Sequence, residues 1–163
     1  MTRERTYGWQ DPAVFSTAIR EKSGLDFLGA IGSGDLPAPP ANVTTGIVPQ
    51  EVGDGYAIFT MEPAEWQYNP LGTVHGGILS TLADTALGCA VHTRLPVGVG
   101  YTSLDLVVKF TRAVTMNSGV LTCEGRVVTM GRRAATAEAR ITDVSGRVVA
   151  HATTTCLLIR EEG

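Results

Sequence analysis

A single carboxylate, Asp84, stands in an otherwise uncharged run that His75-Gly76-Gly77 opens and Val91 closes. An acid buried in such a run without a cation beside it is costly, so its presence asks for a reason. In water-poor surroundings it can accept a proton from an attacking water or attack an acyl carbonyl itself. If a helix begins at Gly76 and Gly77, its first N–H groups lack intrahelical acceptors and carry the positive end of the helix dipole. Those groups can hold a developing oxyanion, and glycine lets the carbonyl approach with no Cβ in the way. Two plainer readings stay open: glycines that permit close packing, and an acid hydrogen-bonded to Ser80, Thr81 or a strand hydroxyl.

Asp84 follows Gly76 by eight residues, about 12 Å along an ideal helix, too far for one small carbonyl group to touch both. Two such helices packed antiparallel across a two-fold axis would bring Gly76 of one subunit towards Asp84 of the other. The spacing therefore predicts at least a homodimer.

The elements that must position these residues can be read from periodicity. Ile78, Leu82, Ala86 and Cys89 form one helical row and Leu79, Ala83, Leu87 and Ala90 the next, with small residues between them, so residues 75–92 predict a central helix that could be covered on nearly every face. Before it, Thr45–Val52 and Tyr56–Met61 flank Gly53-Asp54-Gly55 and predict a hairpin. After it come four strands, Thr102–Phe110, Gly119–Val128, Ala134–Thr142 and Val148–Ile159, joined in part by turns at Met130-Gly131-Arg132 and Val144-Ser145-Gly146. Two strands, one buried helix and four long strands give an α+β arrangement, an antiparallel sheet wrapped around a helix. Asp11-Pro12 starts a short amphipathic helix that Ser23-Gly24 ends, and Gly32 to Asn42 reads as an exposed Gly/Pro-rich connection.

Composition narrows the field. A length of 163 residues suits one main domain, and a formal charge of −3 supplies no broad cationic field for nucleic acid. The N-terminal residues lack the apolar core of a signal peptide and no stretch reads as a membrane span, so a cytoplasmic location is expected. Cys89, Cys123 and Cys156 lie apart in apolar surroundings and read as buried thiols; no metal-ligand pattern is visible.

Asn69, then His75-Gly76-Gly77, then Asp84, followed by the strand TSLDLVVKF, resembles the hotdog-fold acyl-CoA thioesterases of the phenylacetate-degradation (PaaI-like) type. The likeness covers roughly residues 43–160, a hotdog domain of 43–163 preceded by an N-terminal segment of 1–42. The resemblance implies hydrolysis of an aryl or short-to-medium acyl-CoA to free acid and CoA, without metal or redox cofactor, by a homodimer or a homotetramer of two dimers. It implies that Asp84 is general base or nucleophile and that Gly76 and Gly77 hold the carbonyl. It also places Asn69 near the thioester or the water, and gives His75 the task of orienting the helix start. Ser103, in preference to Thr102, would stand beside Asp84 and help hold the water. A thiol leaves readily as thiolate, so no dedicated acid is needed.

The CoA phosphates would need cations, for which Arg112, Arg132 and Arg133 are the candidates; each also suits a solvated loop. Trp66, Leu71, Val74 and Leu79 flank the helix and are the residues expected to select the acyl group. Neither nucleic acid nor membrane is expected as a partner. Two rival functions remain for the same fold: an enoyl-CoA hydratase or dehydratase, and a non-catalytic acyl-CoA-binding protein.

Overall fold

The computed structural model describes residues 1–160. Three helices come first, α1 (Ala13–Glu21), α2 (Gly24–Ser33) and α3 (Pro40–Thr45), followed by strands β1 (Ile47–Gly53) and β2 (Tyr56–Met61). The long helix α4 (Gly76–His92) precedes β3 (Val99–Ser103), β4 (Val107–Phe110), β5 (Leu121–Met130), β6 (Ala134–Thr142) and β7 (Val148–Arg160). All seven strands form one antiparallel sheet in the order β1-β2-β5-β6-β7-β3, with β4 extending the outer edge along β7. This is the expected antiparallel sheet around a central helix.

Local chemistry sets the turns. Gly55, at φ 77°, closes the β1–β2 hairpin, and its N–H donates to Thr93 Oγ1 at 2.9 Å, which ties that turn to the end of α4. Between β6 and β7, Asp143 accepts from the Ser145 hydroxyl and from the Ser145 and Arg147 amides. The hydroxyl of Ser145 leads these contacts in holding the Asp143 carboxyl well below the usual carboxylate range.

The core lies between α4 and the concave face of the sheet. Leu79, Leu82, Ala83, Ala86, Leu87, Ala90 and Val91 of α4 are buried, and each Leu-sized side chain removed from water contributes about 1.5–3 kcal/mol. Beneath them, β6 presents Ala135, Ala137 and Ala139 at successive inward positions. These short side chains let the helix sit close to the sheet. At Gly125 of β5 the approach is closest: a Cβ there would collide with the Ala86 carbonyl.

Three expectations change. The predicted strand Thr102–Phe110 is two strands, because Asp105 breaks it: its carboxylate accepts from the Thr155 amide at 2.9 Å and its carbonyl accepts from Thr154 Oγ1 at 2.6 Å. A side chain thus replaces a backbone partner, and the edge bends between β3 and β4. Residues 1–42 hold more helix than the one predicted. Ser23 does not only end α1; its Oγ accepts from Asp26 N at 3.2 Å and caps α2. The Gly32–Asn42 connection shrinks to a few residues, because α2 runs to Ser33 and α3 opens at Pro40, taking with it the predicted start of β1 at Thr45. Among the described residues no helix is long and apolar enough to cross a membrane.

Gly125→Ala should lower stability by about 1–3 kcal/mol through overpacking against the α4 backbone. Urea denaturation would show this as a lower midpoint with an unchanged slope.

Candidate active site

Helix α4 begins as the sequence predicts, and His75 is its cap: His75 Nδ1 accepts from Gly77 N at 2.8 Å. The amide of Gly77 is therefore occupied within the chain, which removes it as a free carbonyl donor. Among the described residues the Gly76 amide donates to no acceptor, so it is the orphan donor at this helix start. The space a side chain would fill at Gly76 is bordered by the Phe110 ring, 3.1 Å from the position of an added Cβ.

Asn69 belongs first to its own loop. Its Oδ1 accepts from the Leu71 amide at 2.9 Å and its Nδ2 donates to Thr73 Oγ1 at 3.0 Å, the turn role that its place before Pro70 suggests. It nevertheless lines, with Gly76, Phe110 and Arg112, a hollow of about 370 Å³ beside the helix start. Val74 and Leu79 line it too.

Asp84 lies two turns along α4, and Ser103 Oγ donates to Asp84 Oδ1 at 3.1 Å. The expected pairing of the acid with the Ser103 hydroxyl is thus present in the structure, with Thr102 lining the same cleft. The expectation that Asp84 is buried fails within one chain: it is exposed, on a stripe of α4 that also leaves Gly77 open and Ser80, Thr81 and Thr85 half-buried. The sheet covers α4 on one side only. Along the open side, Phe110 stands at Gly76, Ser103 at Asp84 and Tyr101 at Gly88, so the helix runs antiparallel to the β3–β4 edge. That edge pairs inward with β7 and has no outer partner strand among the described residues.

Sequence reasoning missed the wall facing Asp84. The acid opens onto a cleft of about 520 Å³ whose other side is built from α1 and α2, including Phe15, Phe27 and Ile31. The Ser23-x-x-Asp26 spacing before an apolar run was the available signal, a cap with an acid three residues on. Trp66 and Leu71, expected at the acyl site, lie elsewhere: Trp66 stacks under Arg5, whose guanidinium is 3.6 Å from the ring centroid, and Leu71 is 88% exposed. Arg132 and Arg133 occupy the exposed β5–β6 turn and line neither the hollow nor the cleft. Cys89 borders the cleft as a thiol, not a nucleophile, because burial, helped by the Asp84 charge, pushes its pKa up to about 12.

A central helix laid on one antiparallel sheet, with its capped N-terminus and one acid on the open side, is the hotdog architecture. Residues 71–150 match the Thioesterase superfamily model. The chain is similar to a phenylacetic acid degradation-related protein of Ralstonia eutropha JMP134, at 27% identity and a TM-score of 0.72, over 79% of this chain and 97% of that one. It shares its fold with the E. coli PaaI protein from the phenylacetic acid degradation operon, at 22% identity and a TM-score of 0.72, over 84% and 95% of the two chains. An esterase-named protein of Halobacterium salinarum is 41% identical over 69 residues, which is 41% of this chain and 44% of that protein. The chain thus aligns with less than half the length of this curated relative. By its fold and by the superfamily match, the chain resembles the PaaI-like proteins of the hotdog-fold thioesterase superfamily.

At the inner end of the cleft His92 is buried between Phe27 and Tyr101, each ring centroid 5.4 Å from its own. Burial lowers its pKa from 6.5 to about 4. Between those values the unfolded chain binds a proton that the folded chain excludes. Stability is therefore full above pH 6.5 and declines as pH falls towards 4, by about 3 kcal/mol in total from this group. His92→Phe should flatten that part of the pH profile, measured as urea midpoints for the two proteins side by side.

Proposed function

We propose that this protein hydrolyses an acyl-CoA to free acid and CoA, working at least as a homodimer, with Asp84 as general base or nucleophile. The observation that carries the reading is the Ser103–Asp84 pair on the open side of α4, two turns from an unoccupied amide at Gly76. Eight residues separate the two positions, about 12 Å of helix, so neither completes a site for one carbonyl alone. Pairing two chains across the free β3–β4 edge, about an axis near Ser80, sets the two α4 helices antiparallel. Gly76 of the partner subunit then faces Asp84, because Ser80 lies midway between those positions.

In that site the partner's Gly76 N–H and the helix dipole stabilise the charge that develops on the thioester oxygen. Asp84, steadied by the Ser103 hydroxyl, either takes a proton from water or attacks the carbonyl to give a mixed anhydride that water opens. CoA leaves as thiolate. His75 contributes by capping the helix and so aiming the Gly76 amide; Gly77 serves the cap. The second Nδ2 hydrogen of Asn69 is available to the substrate, and Thr102 adds a hydroxyl at the cleft. Arg112, in the hollow beside Gly76, is placed for CoA phosphates, with Arg132 and Arg133 as outlying cations. A tetramer of two such dimers is consistent with the fold.

Asp84→Asn keeps the shape of the side chain and removes its charge. Turnover in a free-thiol assay across aryl, short, medium and long acyl-CoAs should fall at least about a hundredfold, the usual worth of a positioned base. Near-normal turnover by the variant would remove Asp84 from the chemistry. With crotonyl-CoA, the wild type should release thiol; loss of enoyl absorbance without thiol would instead mark a hydratase.

A further inference from the structure

Helices α1 and α2 precede the region matched by the family model, yet they are built into the side of the molecule where Asp84 stands. The amide of Gly24 donates to the Leu95 carbonyl at 2.9 Å, and a side chain at Gly24 would collide with the His92 carbonyl. The N-terminus of α2 is therefore pressed directly on the end of α4, a contact that only glycine permits. From there Ala18, Phe27 and Leu28 form a second small core, with Phe15 and Ile31 packed on it. Phe15 and Phe27 meet edge to face at 6.2 Å, and Phe27 continues through His92 to Tyr101. The result is an aromatic row running from the N-terminal helices to β3.

This row and the apolar faces of α1 and α2 enclose the cleft that opens at Asp84 and Ser103. Its volume, about 520 Å³, lies in the range of small-molecule sites. Its chemistry is selective. Asp84, at the mouth, is the one charged side chain among the lining residues, and no Lys or Arg lines the cleft. A phosphate-bearing group would find no counter-charge there, whereas Arg112 lines the hollow beside Gly76. A thioester held between Asp84 and the partner's Gly76 would thus send its CoA arm towards the hollow lined by the partner's Arg112 and its acyl arm into the cleft.

We infer that α1 and α2 form the acyl-binding wall of the site and select bulky apolar acyl groups, aromatic or medium-chain, over acetyl. This rests on the proposed thioesterase function, which the test below separates from it. Ile19 is the natural probe, since it lines the cleft yet is 39% exposed, so enlarging it fills the cleft without disturbing the Ala18, Phe27 and Leu28 packing.

The test compares full-length wild type, Ile19→Trp and the milder Ile19→Phe, with Thr17→Trp on α1 outside the cleft as control and circular dichroism to confirm the fold. Two ratios are read. One is kcat/KM for phenylacetyl-CoA and for octanoyl-CoA over acetyl-CoA. The other, independent of turnover, is the affinity for S-octyl-CoA over S-methyl-CoA by calorimetry. Both should exceed one in the wild type, and in Ile19→Trp both should fall at least about tenfold, the effect of a mismatched group in an apolar pocket. Ile19→Phe should shift them in the same direction and Thr17→Trp should not. Thiol release with ratios that Ile19→Trp and Ile19→Phe leave unmoved would overturn the acyl wall and spare the thioesterase. Absence of thiol release from every acyl-CoA, with the calorimetric ratio still falling in Ile19→Trp, would do the reverse.

Discussion

The close seating of α4 on the sheet is the constraint from which the rest of the structure follows. It depends on what is missing as much as on what is present: no side chain at Gly125, where the strand meets the Ala86 carbonyl, and nothing larger than methyl at Ala135, Ala137 and Ala139. Interiors pack to crystal-like density, so a helix this close has no freedom to roll or slide. Its rotation is fixed, and with it the stripe that carries Gly77, Ser80, Thr81 and Asp84 outward.

That fixed rotation explains how an acid can sit in an apolar helix. Asp84 avoids the cost of burial within one chain because it occupies the side the sheet does not reach. Ser103 meets it there because β3 runs beside that side. In the proposed dimer, the second helix would cover the stripe, and the acid would be withdrawn from water where the thioester is to be bound. Desolvation strengthens each interaction there, including the dipole at the helix start.

The aromatic row makes a different use of a titratable group. His92 lies inside the apolar cluster and stays uncharged at neutral pH because its imidazolium would be poorly solvated there. It contributes packing to the contact that holds α2 on α4, and no proton to the chemistry. The N-terminal helices are thereby attached through backbone and ring contacts at Gly24 and Phe27.

The amino-acid sequence by itself determined the elements whose pattern is local. The β-prone runs of β2 and β6 and the helical rows of α4 appear at or within a residue of where they were expected, as do the glycine turns. It also marked Asn69, His75, Gly76 and Asp84 as the residues to watch, since their types and spacing are properties of the chain. Tertiary structure decided which distant groups those residues meet. The break at Asp105 depends on the Thr155 amide and the Thr154 hydroxyl of β7, some fifty residues away. Ser23 could be read as an ending or a beginning until the apolar face of α2 had somewhere to pack. The amide of Gly77 was spoken for by a histidine two residues earlier, a choice of rotamer that spacing does not reveal. The wall of α1 and α2 opposite Asp84 arose from contacts across the chain. Periodicity reports which face of an element is apolar, but which other face it meets is settled only when distant segments compete for the same surface.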